Sequence, residues 1–162
     1  IGVVTADNAS ISSAIRDGSS VCVFPGGIAE MVQTAGAEES ILLQGRRGFV
    51  RLALQHGIPI VPVYVFGQTI LWSQLRLPQW VQALSRWLRV SLILPYGRFG
   101  LMVPRRLPLL YAIGRPISCL ATGEPSQEQV ADTHRAVVEA VRGLYDEFKA
   151  SYGWQDRPLR IL

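Results

Sequence analysis

From Ser126 to Tyr152 the apolar side chains keep a single helical rhythm, and no other feature of the chain limits its fold as strongly. Val130, His134, Val137, Val138, Val141, Leu144, Tyr145, Phe148 and Tyr152 fall on one stripe. Such a stripe must be buried against another layer. Ser126 stands at the N-cap with Gln129 three residues on, the pattern of a capping box. Ahead of this helix, short β-branched runs alternate with helical ones. Gly2 to Thr5 reads as the end of a strand. Asn8 is the expected N-cap of a helix with Ile11, Ala14 and Ile15 on its face and Gly18 at its end. Val21 to Phe24 reads as a short buried strand cut off by Pro25-Gly26-Gly27. Ile28 to Val32 opens a helix, and Thr34 to Ser40 is a loop. Arg47 to His56 is the next helix, packed through Phe49, Leu52, Ala53 and the stem of Gln55 and ended by Gly57. Ile58 to Phe66 is a strand whose prolines suggest an edge or a bulge. Ile70 to Leu77 and Trp80 to Val90 are helical, and Leu107 to Ile113 is a strand. The expectation is one α/β domain over residues 1–162, with a mostly parallel sheet flanked by helices.

Composition agrees with a packed domain: 49% of the 162 residues are apolar and 17% charged, which excludes a disordered chain. The net charge of +4 is modest, but the cations cluster. Arg76, Arg86, Arg89, Arg98, Arg105, Arg106 and Arg115 share a stretch that holds no Asp or Glu. A basic, aromatic and apolar block points to a membrane surface or an anionic ligand. No nucleic-acid motif accompanies it, so nucleic acid is not an expected partner. Cys22 and Cys119 make neither a disulfide framework nor a zinc set. The chain opens at Ile1, without Met and without a basic-then-apolar leader, and reads as a fragment lacking its front. The run from Gly57 to Trp72, broken by Pro59, Pro62 and Gly67, is too short to span a bilayer.

The common catalytic signatures are missing. There is no Gly-x-Ser-x-Gly elbow, no phosphate-binding Gly-x-x-x-x-Gly-Lys, no dinucleotide glycine fingerprint and no metal-ligand spacing. His56, just before Gly57, fits a helix C-terminus, where it meets the dipole and the free carbonyls. His134 and Glu139 lie roughly 140° apart on a helix and cannot act together. His134 reads as a core residue with a satisfied ring.

Chemistry has three places to sit. Phe24 to Glu30 delivers a strand into paired glycines with a carboxylate one turn later. Ligands of open α/β sheets bind beyond the carboxyl ends of strands. Gly26 and Gly27 allow close backbone approach, their N–H groups can form an anion nest or an oxyanion site, and Glu30 can orient a hydroxyl or an imidazole. The plainer alternative is a tight turn with a solvated Glu. Arg46 and Arg47 precede or open a helix and suit bidentate phosphate binding, against the alternative of a solvated helix end. Trp80, Val81, Leu84, Trp87 and Leu88 share a face, with Arg86 and Arg89 elsewhere, as in an interfacial helix; an ordinary core helix fits the same pattern.

Three blocks in order carry a resemblance. Phe24 to Glu30, Arg46 to Leu54 and Gly57 to Gln68 resemble the type-2 diacylglycerol acyltransferase family, which includes monoacylglycerol and wax-alcohol acyltransferases. The likeness continues through Gly114-Arg115-Pro116-Ile117 into the terminal helix. By position, Gly26, Gly27 and Glu30 match its Gly-Gly-x-x-Glu motif. Arg46, Gly48 and Phe49 match its Arg-x-Gly-Phe block, with Arg47 where Lys is commoner. Pro62, Phe66, Gly67 and Gln68 match its Val-Pro-x-x-x-Phe-Gly block, with Gln68 where animal members usually have Glu. The resemblance implies a glycerolipid acyltransferase-like fold lacking its N-terminal part. It implies transfer of a fatty acyl group from acyl-CoA to diacylglycerol at the cytosolic face of the endoplasmic reticulum or at lipid droplets. A monoacylglycerol, a long-chain alcohol or a lysophospholipid is the alternative acceptor, and a lipid-binding module without catalysis the alternative class. The family's His-Pro-His-Gly motif, expected upstream, is absent from this chain, so Glu30 is the catalytic candidate here. Gly26, Gly27, Arg46, Arg47, Gly48, Phe49, Pro62, Phe66, Gly67 and Gln68 are the substrate-binding candidates. Acyl-CoA enters as co-substrate, and no cofactor or metal is expected. Membrane contact is expected through Trp80, Arg86, Trp87 and Arg89.

Overall fold

A computed structural model describes residues 3, 5, 7–26, 38–74, 95–101 and 103–162. In chain order its elements are α1 (Asn8–Arg16), β1 (Glu39–Ile41), α2 (Gly48–His56), β2 (Val63–Phe66), β3 (Ser73–Gln74), β4 (Pro95–Tyr96), β5 (Leu110–Ile113), α3 (Gln127–Phe148) and β6 (Leu159–Ile161). Short 3₁₀ turns cover Gln68–Ile70 and Arg98–Gly100.

α3 organises the rest. Ser126 accepts from the Gln129 N–H at 3.1 Å while the Gln129 side chain accepts from the Ser126 N–H at 2.9 Å, so the capping box is closed in both directions. Its buried residues are Val130, His134, Val137, Val141, Leu144 and Tyr145, all on the stripe read from the sequence, whereas Val138, Phe148 and Tyr152 of that stripe are half-buried. Val130 packs with Val50, Ala53, Leu54 and Cys119 under α2. Val137, Val141, Leu144 and Tyr145 pack with Leu43, Tyr64, Phe66, Ala112 and Ile161 under the strands. One helix thereby serves two clusters, each buried aliphatic or aromatic side chain contributing about 1.5–3 kcal/mol.

The described strands form three pairs. β1 and β6 are parallel, whereas β2–β5 and β3–β4 are antiparallel. The α/β class stands, but among the described residues parallel pairing holds only at β1–β6, not through most of the sheet as the sequence suggested. The β2–β5 pairing extends through a bridge between Ile60 and Ile117, and Pro62 accepts from the Gly114 N–H at 2.9 Å. β2 is hydrogen-bonded only to β5 among the described strands, consistent with the edge that its flanking prolines imply. One face of this pair, Tyr64, Phe66 and Ala112, enters the core. The other exposes Val63, Tyr111 and Ile113, the last at 66%.

Several local expectations change. Asp7, not Asn8, caps α1, accepting from the Ser10 N–H at 2.9 Å. Val3, Thr5 and residues 21–24 are in no strand, and Val23 and Phe24 are exposed. A run of four apolar residues is too short to hold itself extended unless a neighbouring strand pairs with it. Residues 39–40, expected in a loop, begin β1. Gln55 is exposed, and the packed side of α2 instead includes Val50 and Leu54 beside Leu52 and Ala53. Ile70 closes a 3₁₀ turn and Ser73–Gln74 is a strand, so no helix starts at Ile70. The helices expected at Ile28–Val32 and Trp80–Val90 lie outside the described residues. Among the described residues no helix is long and apolar enough to cross a membrane.

A charged group sits where the sequence promised none. Glu39 is fully buried. Its Oε1 accepts from Arg157 at 2.7 Å and from the Thr69 hydroxyl at 2.8 Å, and its Oε2 lies 3.4 Å from the Tyr64 hydroxyl. Burial pushes the Glu39 pKa up, opposed by the Thr69 bond, the Arg157 charge and the Tyr64 bond. The rings of Tyr64, Phe66, Tyr145, Tyr152 and Trp154 enclose the site, with centroid separations from 4.7 to 5.7 Å. Arg157 lies 4.5 Å over Trp154, and its carbonyl accepts from the Tyr145 hydroxyl at 2.8 Å.

Replacing Glu39 with Ala removes the carboxylate from the Arg157 guanidinium and should cost about 3–5 kcal/mol in denaturant unfolding. The double change Glu39→Met with Arg157→Met removes both charges and should recover most of that loss. Tyr145 supplies a pH test. Burial, then the Glu39 charge, pushes its phenol up to about 12. The unfolded phenol ionises near 10. The raised folded value stabilises below pH 10, and that contribution fades as pH climbs from about 10 to 12, by roughly 2–3 kcal/mol. Tyr145→Phe should cost about 1 kcal/mol at neutral pH and flatten most of this alkaline loss.

Candidate functional site

β1 connects two features. At its start, Glu39 holds Thr69 and so the turn that follows β2. Gly67 is buried in the left-handed region at φ +88°, and a Cβ there would collide with the Tyr152 hydroxyl and come within 2.9 Å of the Pro108 carbonyl. Only glycine fits this position. Pro62 and Phe66 are buried packing residues, and Phe66 has no exposed surface. They and Gly67 present Gln68 at the surface.

Beyond β1 the chain turns into α2. The N–H groups of Leu43 and Gln44 both donate to the Leu162 carbonyl at 2.8 Å, and the Arg46 N–H donates to the Leu43 carbonyl at 3.0 Å. Arg47 stands at the N-cap of α2 with no side-chain cap bond. Gly48 is exposed and Phe49 half-buried, its ring centroid 6.4 Å from that of His134. At the other end of α2, Gly57 is left-handed at φ +65° and Ile58 donates to the Ala53 carbonyl at 3.1 Å.

Between this turn and α3 lies a cleft of about 340 Å³ lined by Gln44, Arg47, Ala131, His134, Arg135 and Val138. The lining carries two guanidiniums and a carboxamide and no carboxylate, so its chemistry suits an anion. The His134 Nε2 lies 2.9 Å from the Leu43 carbonyl. A carbonyl only accepts, so Nε2 carries the proton and the ring is fixed. His134 is thus the satisfied core residue that its sequence position implied. His56 Nε2 lies 3.0 Å from the Ser12 hydroxyl and ties α2 to α1, rather than serving only its own helix end.

The sequence candidates therefore separate. Arg47 lines the cleft; Arg46 is exposed beside it and is not a lining residue. Gly26 is buried in a turn. Gly27, Glu30, Trp80, Arg86, Trp87 and Arg89 lie outside the described residues. Glu39, Thr69, Arg157, Gln44 and Arg135 were not singled out by sequence reasoning. No group of three or more His, Cys, Asp or Glu that could hold a metal occurs among the described residues.

The Arg46–Phe49 and Pro62–Gln68 blocks are joined through Glu39 of β1 and pack on α3. The family model described as diacylglycerol acyltransferase matches residues 1–161. The chain belongs to that family. The acyl-CoA wax alcohol acyltransferase 2 of Homo sapiens is 36% identical over 151 residues, covering 84% of this chain and 44% of that protein. The 2-acylglycerol O-acyltransferase 1 of Homo sapiens is 30% identical across 100% of this chain and 52% of its own length. The diacylglycerol O-acyltransferase 2 of Danio rerio is 30% identical across 90% of this chain and 44% of its own. The chain thus spans about half the length of these diacylglycerol acyltransferase family members. No solved structure matches it.

Proposed function

We propose that the intact protein transfers a fatty acyl group from acyl-CoA to the hydroxyl of a neutral glycerolipid, with diacylglycerol as acceptor and triacylglycerol as product. The observation that carries this reading is the family match over residues 1–161, with all three motif blocks in order. The acceptor oxygen bonds to the acyl carbon, the carbon–sulfur bond breaks, and the hydroxyl proton ends on the departing CoA thiolate. A base must first take that proton, a service worth about 10²–10⁴-fold. In this reading the two histidines of this chain have structural roles, His56 with Ser12 and His134 with the Leu43 carbonyl. The base in this reading is the histidine of the family's His-Pro-His-Gly motif, contributed from outside these residues. Backbone donors at Gly26 and Gly27 hold the oxyanion, one donor being worth about 2.7–4 kcal/mol. Glu30 orients the histidine or the hydroxyl, and Arg46 and Arg47 hold phosphates of CoA.

A long-chain alcohol is the second acceptor to consider, because the relative at 36% identity is named for a wax alcohol. A panel of diacylglycerol, monoacylglycerol, long-chain alcohol and lysophospholipid decides between them. The reading places the protein at the cytosolic face of the endoplasmic reticulum, with membrane contact near Trp80, Arg86, Trp87 and Arg89. The exposed apolar face at Val63, Tyr111 and Ile113 favours surroundings that include lipid or protein over bare water.

Two measurements test the chemistry in the intact protein. Glu30→Ala should lower turnover by at least about tenfold, within the range for acid–base catalysis, with folding unchanged by thermal unfolding. Turnover within twofold of wild type removes Glu30 from the mechanism and favours a non-catalytic role. Arg47→Glu should raise the apparent KM for acyl-CoA by about tenfold or more, the size of a lost charge-assisted bond. An unchanged KM removes the arginine from CoA binding.

A further inference from the structure

We infer that Arg135 and Gln44 join Arg47 in a phosphate-binding cleft whose far wall is α3, a site that the motif blocks do not reach. The inference rests on the acyl-CoA reading and deepens it. It moves the binding partner of Arg47 from its sequence neighbour Arg46 to Arg135, which is far away in the chain.

The geometry carries it. The cleft of about 340 Å³ has Arg47 on the α2 side and Arg135 on the α3 side, with Gln44 at the turn between. Two planar guanidiniums from different elements can hold phosphate oxygens from two directions, which adjacent residues on one helix end cannot do as easily. The floor is rigid, because His134 is buried and donates to the Leu43 carbonyl. The Leu43–Gln44 backbone is held in turn by the Leu162 carbonyl. Ala131 and Val138 supply apolar walls. Arg135 already pairs with Asp132 at 3.0 Å, but both side chains are more than half exposed. Such a pair is weak and exchanges readily for a phosphate with two negative charges. The volume lies at the low end for small-ligand sites. It suits a phosphate or pyrophosphate group, with the pantetheine and acyl arm running elsewhere. A phosphate of this kind belongs either to CoA or to a phospholipid headgroup.

The test compares Arg135→Gln, Arg135→Lys and a control, Arg142→Gln, in the intact protein. Arg142 is exposed on the same helix and does not line the cleft. Apparent KM is measured for oleoyl-CoA and for oleoyl-pantetheine, a thioester without phosphates, and cosedimentation with vesicles containing phosphatidic acid is measured alongside. For a CoA phosphate, Arg135→Gln raises the oleoyl-CoA KM about fivefold to tenfold, the scale of one charge-assisted bond. It leaves turnover and the oleoyl-pantetheine KM unchanged, and Arg135→Lys recovers part of the loss. For a headgroup, Arg135→Gln instead weakens only vesicle binding, and the phosphate assignment still holds. Arg142→Gln changes neither readout. If Arg135→Gln leaves both readouts at wild-type values while Arg47→Glu still raises the KM, the cleft is overturned and the acyl-CoA reading survives. If the wild-type protein transfers no acyl group from CoA, that reading falls, and the vesicle measurement alone decides the cleft.

Discussion

A carboxylate that water cannot reach must be satisfied by the protein, and Glu39 is satisfied from three directions. Arg157 brings opposite charge from the segment before β6, Thr69 brings a hydroxyl from the turn after β2, and Tyr64 lies close from within β2. Those contacts join β1, β2 and the approach to β6 at one point. The ladder between β1 and β6 continues the same junction, since the Leu162 carbonyl holds Leu43 and Gln44. The turn into α2, and with it Arg47, is therefore positioned by the segment from β6 to Leu162. Burying an ion pair adds little net stability compared with an apolar pair of the same shape. Its effect is on geometry, because a charge without its partner is so costly that few other registers are tolerated.

The aromatic shell explains why this junction is dry. Phe66 lies between Tyr145, Tyr152 and Trp154, and Tyr64 closes edge-on against both Phe66 and Tyr145. Edge-to-face and offset pairs of this kind are favourable beyond their area. The same rings remove water from Glu39 and so raise the cost of leaving it unpaired. Gly67 belongs to this construction: its missing Cβ leaves room for the Tyr152 hydroxyl, which donates to the Pro108 carbonyl at 2.8 Å.

Legibility in the sequence followed the range of the interactions. α3 could be read because its capping box and stripe are local, and α2 because Gly57 ends it within one turn. The left-handed Gly67 and the packed Phe66 were visible as a motif, although what packs on them was not. Glu39 was invisible: it follows Glu38, a pair that looks like a solvated corner, and its cation, Arg157, lies far from it in the sequence. Arg135 was hidden for a related reason. It sits on α3 beside a stripe read only for its apolar members, and the other arginine of the cleft, Arg47, belongs to another helix. The strand expected at 21–24 failed in the opposite sense, since apolar composition alone does not make a strand without a neighbour to pair with. Parallel pairing was expected widely and is described only at β1–β6, because alternation of strands and helices does not say which strands end up adjacent.

The distance in sequence between Glu39 and Arg157 bears on synthesis. The acid leaves the ribosome well before its guanidinium. Throughout that interval the acid has to stay hydrated, so β1 cannot close while the intervening chain is already available to collapse around it. A nonsense codon just ahead of Arg157 would release a product whose central junction can never form. Cellular quality control would meet that product as unfolded, because the buried acid lacks its cation.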